Sequence, residues 1–195
     1  MKTKIMSKAI ILCTTILIST MMSSCMEELD FKIGDNEEID FRAYLESDVT
    51  TKGYVTNQLS ERHAGVIGYY GKYITSGETK TEQFSLWSNQ LNHREYIFDG
   101  DQMRVFTEEG QEKQPVKWST LPEEATHLRV YSYLPMSIKD QIDLGGSKPT
   151  INYTVPSDIG EQIDLITAYT EVSQSNREPV QLNFSHALTA ILFRN

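Results

Sequence analysis

The stretch Ile39-Asp40-Phe41-Arg42-Ala43-Tyr44-Leu45 alternates strictly between two kinds of side chain. Its odd positions are apolar, and its even positions carry a charge or a tyrosine hydroxyl. Successive side chains on a β-strand point to opposite faces of the sheet. The stretch therefore predicts a strand with one buried face and one wet face, and it sets the pattern by which the rest of the chain is interpreted.

Short runs of the same kind recur along the rest of the chain, and none of them shows a helical period. They lie at residues 66–70, 84–87, 96–98, 103–106, 128–133, 151–155, 165–169, 180–184 and 190–193. Between two of these runs, Asp99-Gly100 predicts a tight hairpin, because glycine accepts a positive φ. Many short, mostly antiparallel strands at this spacing predict an all-β domain, either a sandwich or a barrel.

The first 25 residues have the pattern of an export signal. Three lysines lie within the first eight residues, an apolar run covers 9–22, and Ser23 and Ser24 precede Cys25. The apolar run is too short to span a bilayer, which needs roughly 20 mostly apolar residues. We expect a lipoprotein signal peptide over 1–24, with Cys25 acylated and left as the new N-terminus. An uncleaved anchor, a cut at another small residue and a plain buried cysteine remain alternatives.

Residues 25–38 are rich in acidic side chains and contain little apolar surface, which predicts a tether. Acidic residues directly behind a lipidated cysteine also resemble the tag that sends some lipoproteins of anaerobic Gram-negative bacteria to the outer face of the outer membrane. A solvated linker is the other interpretation of the same residues.

The folded part is expected to be one acidic domain over 39–195. Loss of 24 residues from the 195 leaves 171, and loss of their three lysines takes the net charge from −9 to −12. This charge argues against nucleic-acid partners and against an electrostatic grip on anionic lipid. Membrane attachment is then expected through the lipid on Cys25 alone. The chain stops at Asn195, directly after an apolar run, so we expect a second domain beyond it.

No catalytic or metal-binding signature is found, and the sequence predicts neither an enzyme nor a cofactor. The histidines have no metal-ligand spacing, and each is expected to be a surface or hydrogen-bonded strand histidine: His63, His93, His127 and His186. No nucleophile elbow or phosphate-binding glycine loop occurs. Cysteine is absent after Cys25, which excludes a disulfide and a thiol catalyst from the folded part.

Aromatic residues are the remaining candidates for a binding site. The candidates for stacking on sugar rings are Tyr69, Tyr70, Tyr73, Trp87 and Trp118. In a β-domain such residues mostly fill the core or pair across strands, and this is the interpretation that we favour.

The order of several motifs resembles the N-terminal domain of the fimbrillin family, the lipoprotein-precursor subunits of fimbriae in gut and oral anaerobes. After the lipoprotein cysteine these motifs are Ile39-x-Phe41, Thr51-Lys52-Gly53, the run 128–135, Ile151-x-Tyr153-x-Val155-Pro156, Asp164-Leu165-Ile166-Thr167-Ala168 and Phe184-Ser185-His186-Ala187-Leu188. The last two, in that order, are the most specific, and they place Asp164, Leu165, Phe184 and His186 in a structural motif. The match covers most of 25–195.

The resemblance implies a two-domain subunit of transthyretin-like β-sandwiches, lipid-anchored in the outer membrane and exposed at the cell surface. In the family, an arginine-specific protease removes the first strand, and the groove that remains accepts a strand from the next subunit. Here that strand is 39–45, with candidate cuts after Arg42 or Arg62. Lys52 stands where many relatives have arginine.

The expected function is therefore a structural or tip subunit of cell-surface fimbriae that contributes to adhesion, with other fimbrial subunits as partners through strand addition. A host or glycan ligand is expected for an adhesive subunit. The alternative is a surface lipoprotein that does not polymerise and that binds glycans through its aromatic residues.

Overall fold

The computed structural model of the protein describes residues 37–45, 59, 62–107 and 114–187. The predicted signal peptide over 1–24, the lipidation site Cys25, most of the tether and the run 190–193 lie outside these residues. Lys52 lies outside them as well.

The all-β prediction is confirmed, because the described residues form ten strands and only three short 3-10 helices. The strands are β1 Phe41–Leu45, β2 His63–Ser76, β3 Thr79–Leu86, β4 Arg94–Asp99, β5 Gln102–Val105, β6 His127–Leu134, β7 Ile142–Asp143, β8 Thr150–Ile151, β9 Ile166–Ser173 and β10 Val180–His186. The 3-10 helices are Trp118–Thr120, Met136–Gln141 and Ile159–Glu161. None of these helices is long and apolar enough to cross a bilayer.

Seven strands form a closed ring in the order β2-β4-β5-β1-β10-β9-β6, and β6 pairs back onto β2. All neighbouring pairs are antiparallel except β1 and β10, which run parallel. The predicted transthyretin-like sandwich is therefore not confirmed. The strands instead form a barrel, the second of the two architectures that the alternation pattern predicted. Closure of the sheet removes the edges that a sandwich would have to protect.

The strand β2 is long enough to take part in the closed ring and also to pair with β3, which lies outside the ring. Its first part pairs with β4 and its second part with β3, while its other edge pairs with β6 throughout residues 65–71. Gly68 lies where the partner changes, and its N–H donates to the carbonyl of Leu91 at 2.8 Å. A Cβ at this position would lie 2.8 Å from the Leu91 side chain, so only glycine permits this approach.

Two hydrophobic clusters lie on opposite faces of the ring. The inner cluster fills the barrel and includes Phe41, Phe98 and Phe184, which are 0–2% exposed. The outer cluster includes Tyr69 and Tyr133 and packs against the helix Met136–Gln141 and the β7–β8 ribbon. Because β2 and β6 are covered on both faces, the run 128–133 is buried at nearly every position, including the polar Arg129 and Ser132.

The hairpin predicted at Asp99-Gly100 is confirmed. Asp99 pairs with Gln102 at the end of β4, and Gly100 has a φ of 64°. A two-residue turn with positive φ matches the right-handed twist of the two strands.

Replacing Gly71 with alanine should destabilise the protein by about 1–3 kcal/mol or more. A Cβ at Gly71 would lie 2.0 Å from the carbonyl oxygen of Gln83, so the β2–β3 ladder would have to shift. The measurement is the midpoint of urea denaturation. Gly146→Ala is the matched control, because its nearest neighbour would be 3.5 Å away, and an equal effect in both variants would contradict the prediction.

Candidate functional site

The first strand, β1, lies between β5 and β10 and closes the ring. Its register with β10 runs from Phe41 opposite Val180 to Leu45 opposite Phe184. With β5 it shares only two positions, Phe41 and Arg42. The strand is therefore held mainly by a parallel ladder of five residues, and parallel pairing is slightly less stable per residue than antiparallel pairing.

Further main-chain hydrogen bonds, outside the regular ladders, also hold β1 and the residues just before it. The N–H of Ile39 donates to the carbonyl of Val116 at 2.7 Å, and the N–H of Ala43 donates to the carbonyl of Asp101 at 2.7 Å. Both edges of the strand are thus used. Any segment that replaced β1 would find the same donors and acceptors on either side.

The inward face of β1 supplies its hydrophobic contacts. Ile39 and Ala43 are each 5% exposed, and Phe41 is fully buried. The ring of Phe41 meets the ring of Tyr96 edge to face, with 5.3 Å between the centroids. Burying one such side chain contributes about 1.5–3 kcal/mol, so Phe41 is the main anchor of the strand.

The first candidate cleavage residue, Arg42, is the second residue of β1 and lies on its outward face. Its Nε donates to Asp40 at 3.0 Å, and its Nη1 lies 3.3 Å from Asp101. Hydrogen bonding to Asp40 raises the pKa of the Arg42 guanidinium above its ordinary value. Because the backbone around Arg42 is paired on both sides, a protease would reach this bond only after β1 had opened.

The second candidate, Arg62, lies directly before β2 and outside the strand ladders. Its N–H donates to the carbonyl of Leu59 at 3.0 Å, and its carbonyl accepts from the N–H of Phe98 at 3.3 Å. A cut after Arg62 would separate the whole of β1 from the rest of the barrel. A cut after Arg42 would divide the strand instead.

The four motif residues come together where β9 begins and β10 ends. Nδ1 of His186 lies 2.7 Å from Oδ1 of Asp164, and the N–H of Ala187 donates to the carbonyl of Leu165 at 2.8 Å. Phe184 is fully buried in the barrel, while Leu165 belongs to the outer cluster. These contacts fix the end of β10, the strand on which β1 lies.

The aromatic residues are mostly structural, as the sequence predicted. Trp87 and Trp118 are 2% exposed and Tyr69 is fully buried, so none of the three presents a face for a sugar ring. Tyr70 and Tyr73 are half-buried against the two clusters. The tryptophans are therefore not the stacking residues of a glycan site.

Every histidine has a hydrogen-bond partner, which confirms the expectation for these residues. His63 contacts Glu95, His93 contacts the Tyr133 hydroxyl, His127 contacts Thr126 and His186 contacts Asp164. Within the part of the chain that the structure describes, no group of three histidine, cysteine, aspartate or glutamate side chains is placed to hold a metal ion.

A buried ionic cluster on the outer face of the barrel was not predicted. Arg129 is 7% exposed, and its Nε donates to Glu171 at 2.8 Å. Its Nη1 lies 2.9 Å from Glu82, its Nη2 donates to the Tyr73 hydroxyl at 3.0 Å, and its guanidinium lies 3.6 Å above the ring of Phe84. The cluster ties together β2, β3, β6 and β9.

The contacts of Arg129 shift the pKa values in this cluster. Burial lowers the pKa of Arg129, but hydrogen bonds to Glu82, Glu171 and Tyr73 outweigh it and raise the pKa overall. Burial raises the pKa of Glu171, and hydrogen bonds from Tyr73 and Arg129 outweigh it, so that this pKa is lowered. The pKa of Glu82 is also lowered, by its hydrogen bond with Arg129, so Arg129, Glu171 and Glu82 all stay ionised at neutral pH.

Comparison of the chain with protein-family models, with curated proteins and with solved structures finds no match. The assignment of function therefore depends on the motif order and on the geometry of the barrel.

Proposed function

We propose that the protein is a structural or tip subunit of cell-surface fimbriae that contributes to adhesion. It would be exported as a lipoprotein, anchored in the outer membrane through Cys25 and joined to other fimbrial subunits by strand addition. The position of β1 carries the proposal, because the first strand is also the one that closes the barrel between β5 and β10.

Removal of β1 would create a groove with two unpaired edges. On the edge of β10, the N–H of Val180 donates to the carbonyl of Asp40 at 2.8 Å, and this hydrogen bond would be lost. The inner cluster would lose Phe41 and become exposed to water. An open edge above an apolar floor is the arrangement that β-augmentation requires.

Removal of β1 would also relate the observed barrel to the sandwich that the resemblance to fimbrillins implies. A transthyretin-like sandwich has two facing sheets with free edges, whereas a closed ring has none. Loss of β1 opens the ring between β5 and β10, and we propose that the sandwich describes this opened form.

Processing after Arg62 is the route that we favour for release of β1. The test treats the full-length protein, purified in detergent from its own host, with an arginine-specific protease and maps the cuts by mass spectrometry. We expect a first cut after Arg62, abolished in Arg62→Lys and retained in Arg42→Lys. A folded protein that resists cleavage at Arg62, or that is cut first at Arg42, would contradict this route.

Strand addition is tested on the cleaved protein. After cleavage, we expect a ladder of oligomers that survives mild detergent and collapses on boiling. A synthetic peptide with the sequence of residues 37–47 should refill the groove and suppress the ladder, and the same peptide with Phe41→Asp should not. Only monomer before and after cleavage, with no surface filaments on the host, would overturn the proposal.

The glycan-binding alternative, in the form that uses Trp87 and Trp118, is not favoured by the structure. Both side chains are 2% exposed, and stacking on a sugar needs an accessible ring face. A glycan site on this domain would have to use other residues.

A further inference from the structure

A broad depression lies on the surface between the segment that precedes β4, the residues around 114–120 and the helix Met136–Gln141. Its volume is about 810 Å³, a size suited to a small ligand. Its polar lining includes Asn89, His93, Arg94, Gln114, Lys117 and Lys139.

The depression carries positive charge on an acidic protein of net charge −9. Arg94 donates from Nη1 to the carbonyl of Gln90 at 3.4 Å and from Nη2 to the carbonyl of Gln114. Its Nε is buried without an acceptor among the described residues. Neither Arg94 nor Lys139 forms an ion pair with any carboxylate in the described part of the chain.

Glu95 lines the depression, and Glu37 and Asp140 lie close to its lining residues, but none of the three is ion-paired with Arg94 or Lys139. Glu95 lies 2.6 Å from His63, and Glu37 lies 3.0 Å from Lys117. Asp140 follows Lys139 directly in sequence and forms no ion pair with it. No described carboxylate therefore pairs directly with Arg94 or Lys139, and both are available to an anion in the depression.

One wall of the depression includes His93, whose backbone conformation is strained. His93 has a φ of 50°, which is uncommon outside glycine, and its Nδ1 lies 2.8 Å from the hydroxyl of Tyr133. The ring of Tyr133 lies over Gly65, where a Cβ would be only 2.2 Å away. Burial, together with Lys139, lowers the pKa of His93, which keeps the imidazole neutral at pH 7.

We infer that the depression binds a carboxylate-bearing sugar, with the acid group placed between Arg94 and Lys139. Guanidinium and ammonium groups form charge-assisted hydrogen bonds with a carboxylate. The side-chain amides of Asn89 and Gln114 both donate and accept, as neighbouring sugar hydroxyls do. This inference goes beyond strand addition and uses none of the residues of β1.

The test measures binding by isothermal titration calorimetry with the full-length protein, purified in detergent from its own host. The acidic probes are trigalacturonate, representing plant acidic polysaccharide, and sialyllactose, representing host glycans. Their neutral counterparts are trigalactose and lactose. We expect at least one acidic probe to bind at least about tenfold more tightly than its neutral counterpart, since a hydrogen bond to a charged group contributes about 1.5–3 kcal/mol.

Variants assign the binding to this depression. Arg94→Gln and Lys139→Gln should each weaken binding of the acidic probe by at least about tenfold. Lys139→Gln guards against a folding defect in Arg94→Gln, because Lys139 is exposed. Arg104→Gln is the control, since Arg104 is exposed and pairs with Asp99 on the β4–β5 hairpin, and it should bind like the wild type.

Three outcomes of the binding measurements would overturn the inference, and two further ones come from the variant and peptide controls below. The three are equal binding of acidic and neutral probes, unchanged binding in Lys139→Gln, and absence of binding at millimolar probe. The variant Glu108→Gln/Glu109→Gln/Glu112→Gln tests whether the acidic segment between residues 107 and 114 is the true occupant. Binding that appears only in this variant, or tighter binding of an oligoglutamate peptide than of either sugar, would also contradict it.

Discussion

Replacing Phe41 with alanine is expected to lower the free energy of unfolding by about 3–5 kcal/mol. Phe41 is fully buried and meets Tyr96 edge to face, so truncation removes apolar contacts and leaves a cavity in the inner cluster. The strand that carries it has only five residues and few other large inward side chains. Urea denaturation followed by tryptophan fluorescence would measure the loss, with an unchanged m-value as the sign of two-state behaviour.

The matched control for this prediction is Tyr44→Ala on the same strand. Tyr44 points outward and is 44% exposed, so its removal should change stability by less than about 0.5 kcal/mol. Similar losses in the two variants would mean that β1 is not anchored by its inward face. Because Phe41 holds the strand that we propose to be released, Phe41→Ala should also be cut faster after Arg62 than the wild type.

The alternation that begins at Ile39 predicted the strand and its inward face correctly. Phe41 and Ala43 are buried, and Arg42 and Tyr44 point outward. The same logic located β10, whose apolar residues alternate in the same way. Such strands are predictable because one face contacts the core and the other contacts water, and this arrangement produces alternating apolar and polar residues in the sequence.

Closure of the sheet was not predictable from the same pattern. A sandwich and a barrel both bury one face of each strand, so alternation alone does not distinguish them. The parallel pairing of β1 with β10 and the change of partner at Gly68 on β2 decide the topology. Both depend on contacts between residues far apart in sequence.

Some strand boundaries were missed for identifiable reasons. The first five residues of β3, Thr79 to Gln83, are all exposed, because this strand lies at an edge and has no covered face there. The run 151–155 was predicted as a strand, but only Ile151 belongs to β8. Tyr153 packs on the outer cluster, which partly buries its ring without a ladder.

Among the candidate site residues, too, some were predictable from the sequence and others were not. The paired motif residues Asp164 and His186 were identified from the sequence, and the structure brings them within 2.7 Å. Arg94 and Arg129 were not identified, because each depends on a residue far away in sequence: Gln114 for Arg94, and Glu82 and Glu171 for Arg129. The signal for Arg129 was a charge between two apolar residues, Leu128 and Val130, in a predicted strand.

Replacing Arg129 with alanine is expected to destabilise the protein by about 3–5 kcal/mol, because it leaves Glu171 partly buried without its cation. The side chain of Glu171 is 22% exposed, whereas that of Glu82 is 51% exposed and should contribute little. The variant also loses the contact between the guanidinium and Phe84. Urea denaturation at pH 7 would measure the change.

The pH dependence of this loss separates its electrostatic part from its packing part. The pKa of Glu171 is lowered from 4.5 in the folded protein, so its contribution is present above pH 4.5 and disappears as the pH falls through the lower, folded value. The difference between wild type and Arg129→Ala should therefore shrink in acid. Arg104→Ala, which removes an exposed ion pair with Asp99, should cost about 0–1 kcal/mol. A loss in Arg129→Ala that stays constant down to pH 3 would show that packing on Phe84, rather than the ion pair with Glu171, holds these strands together.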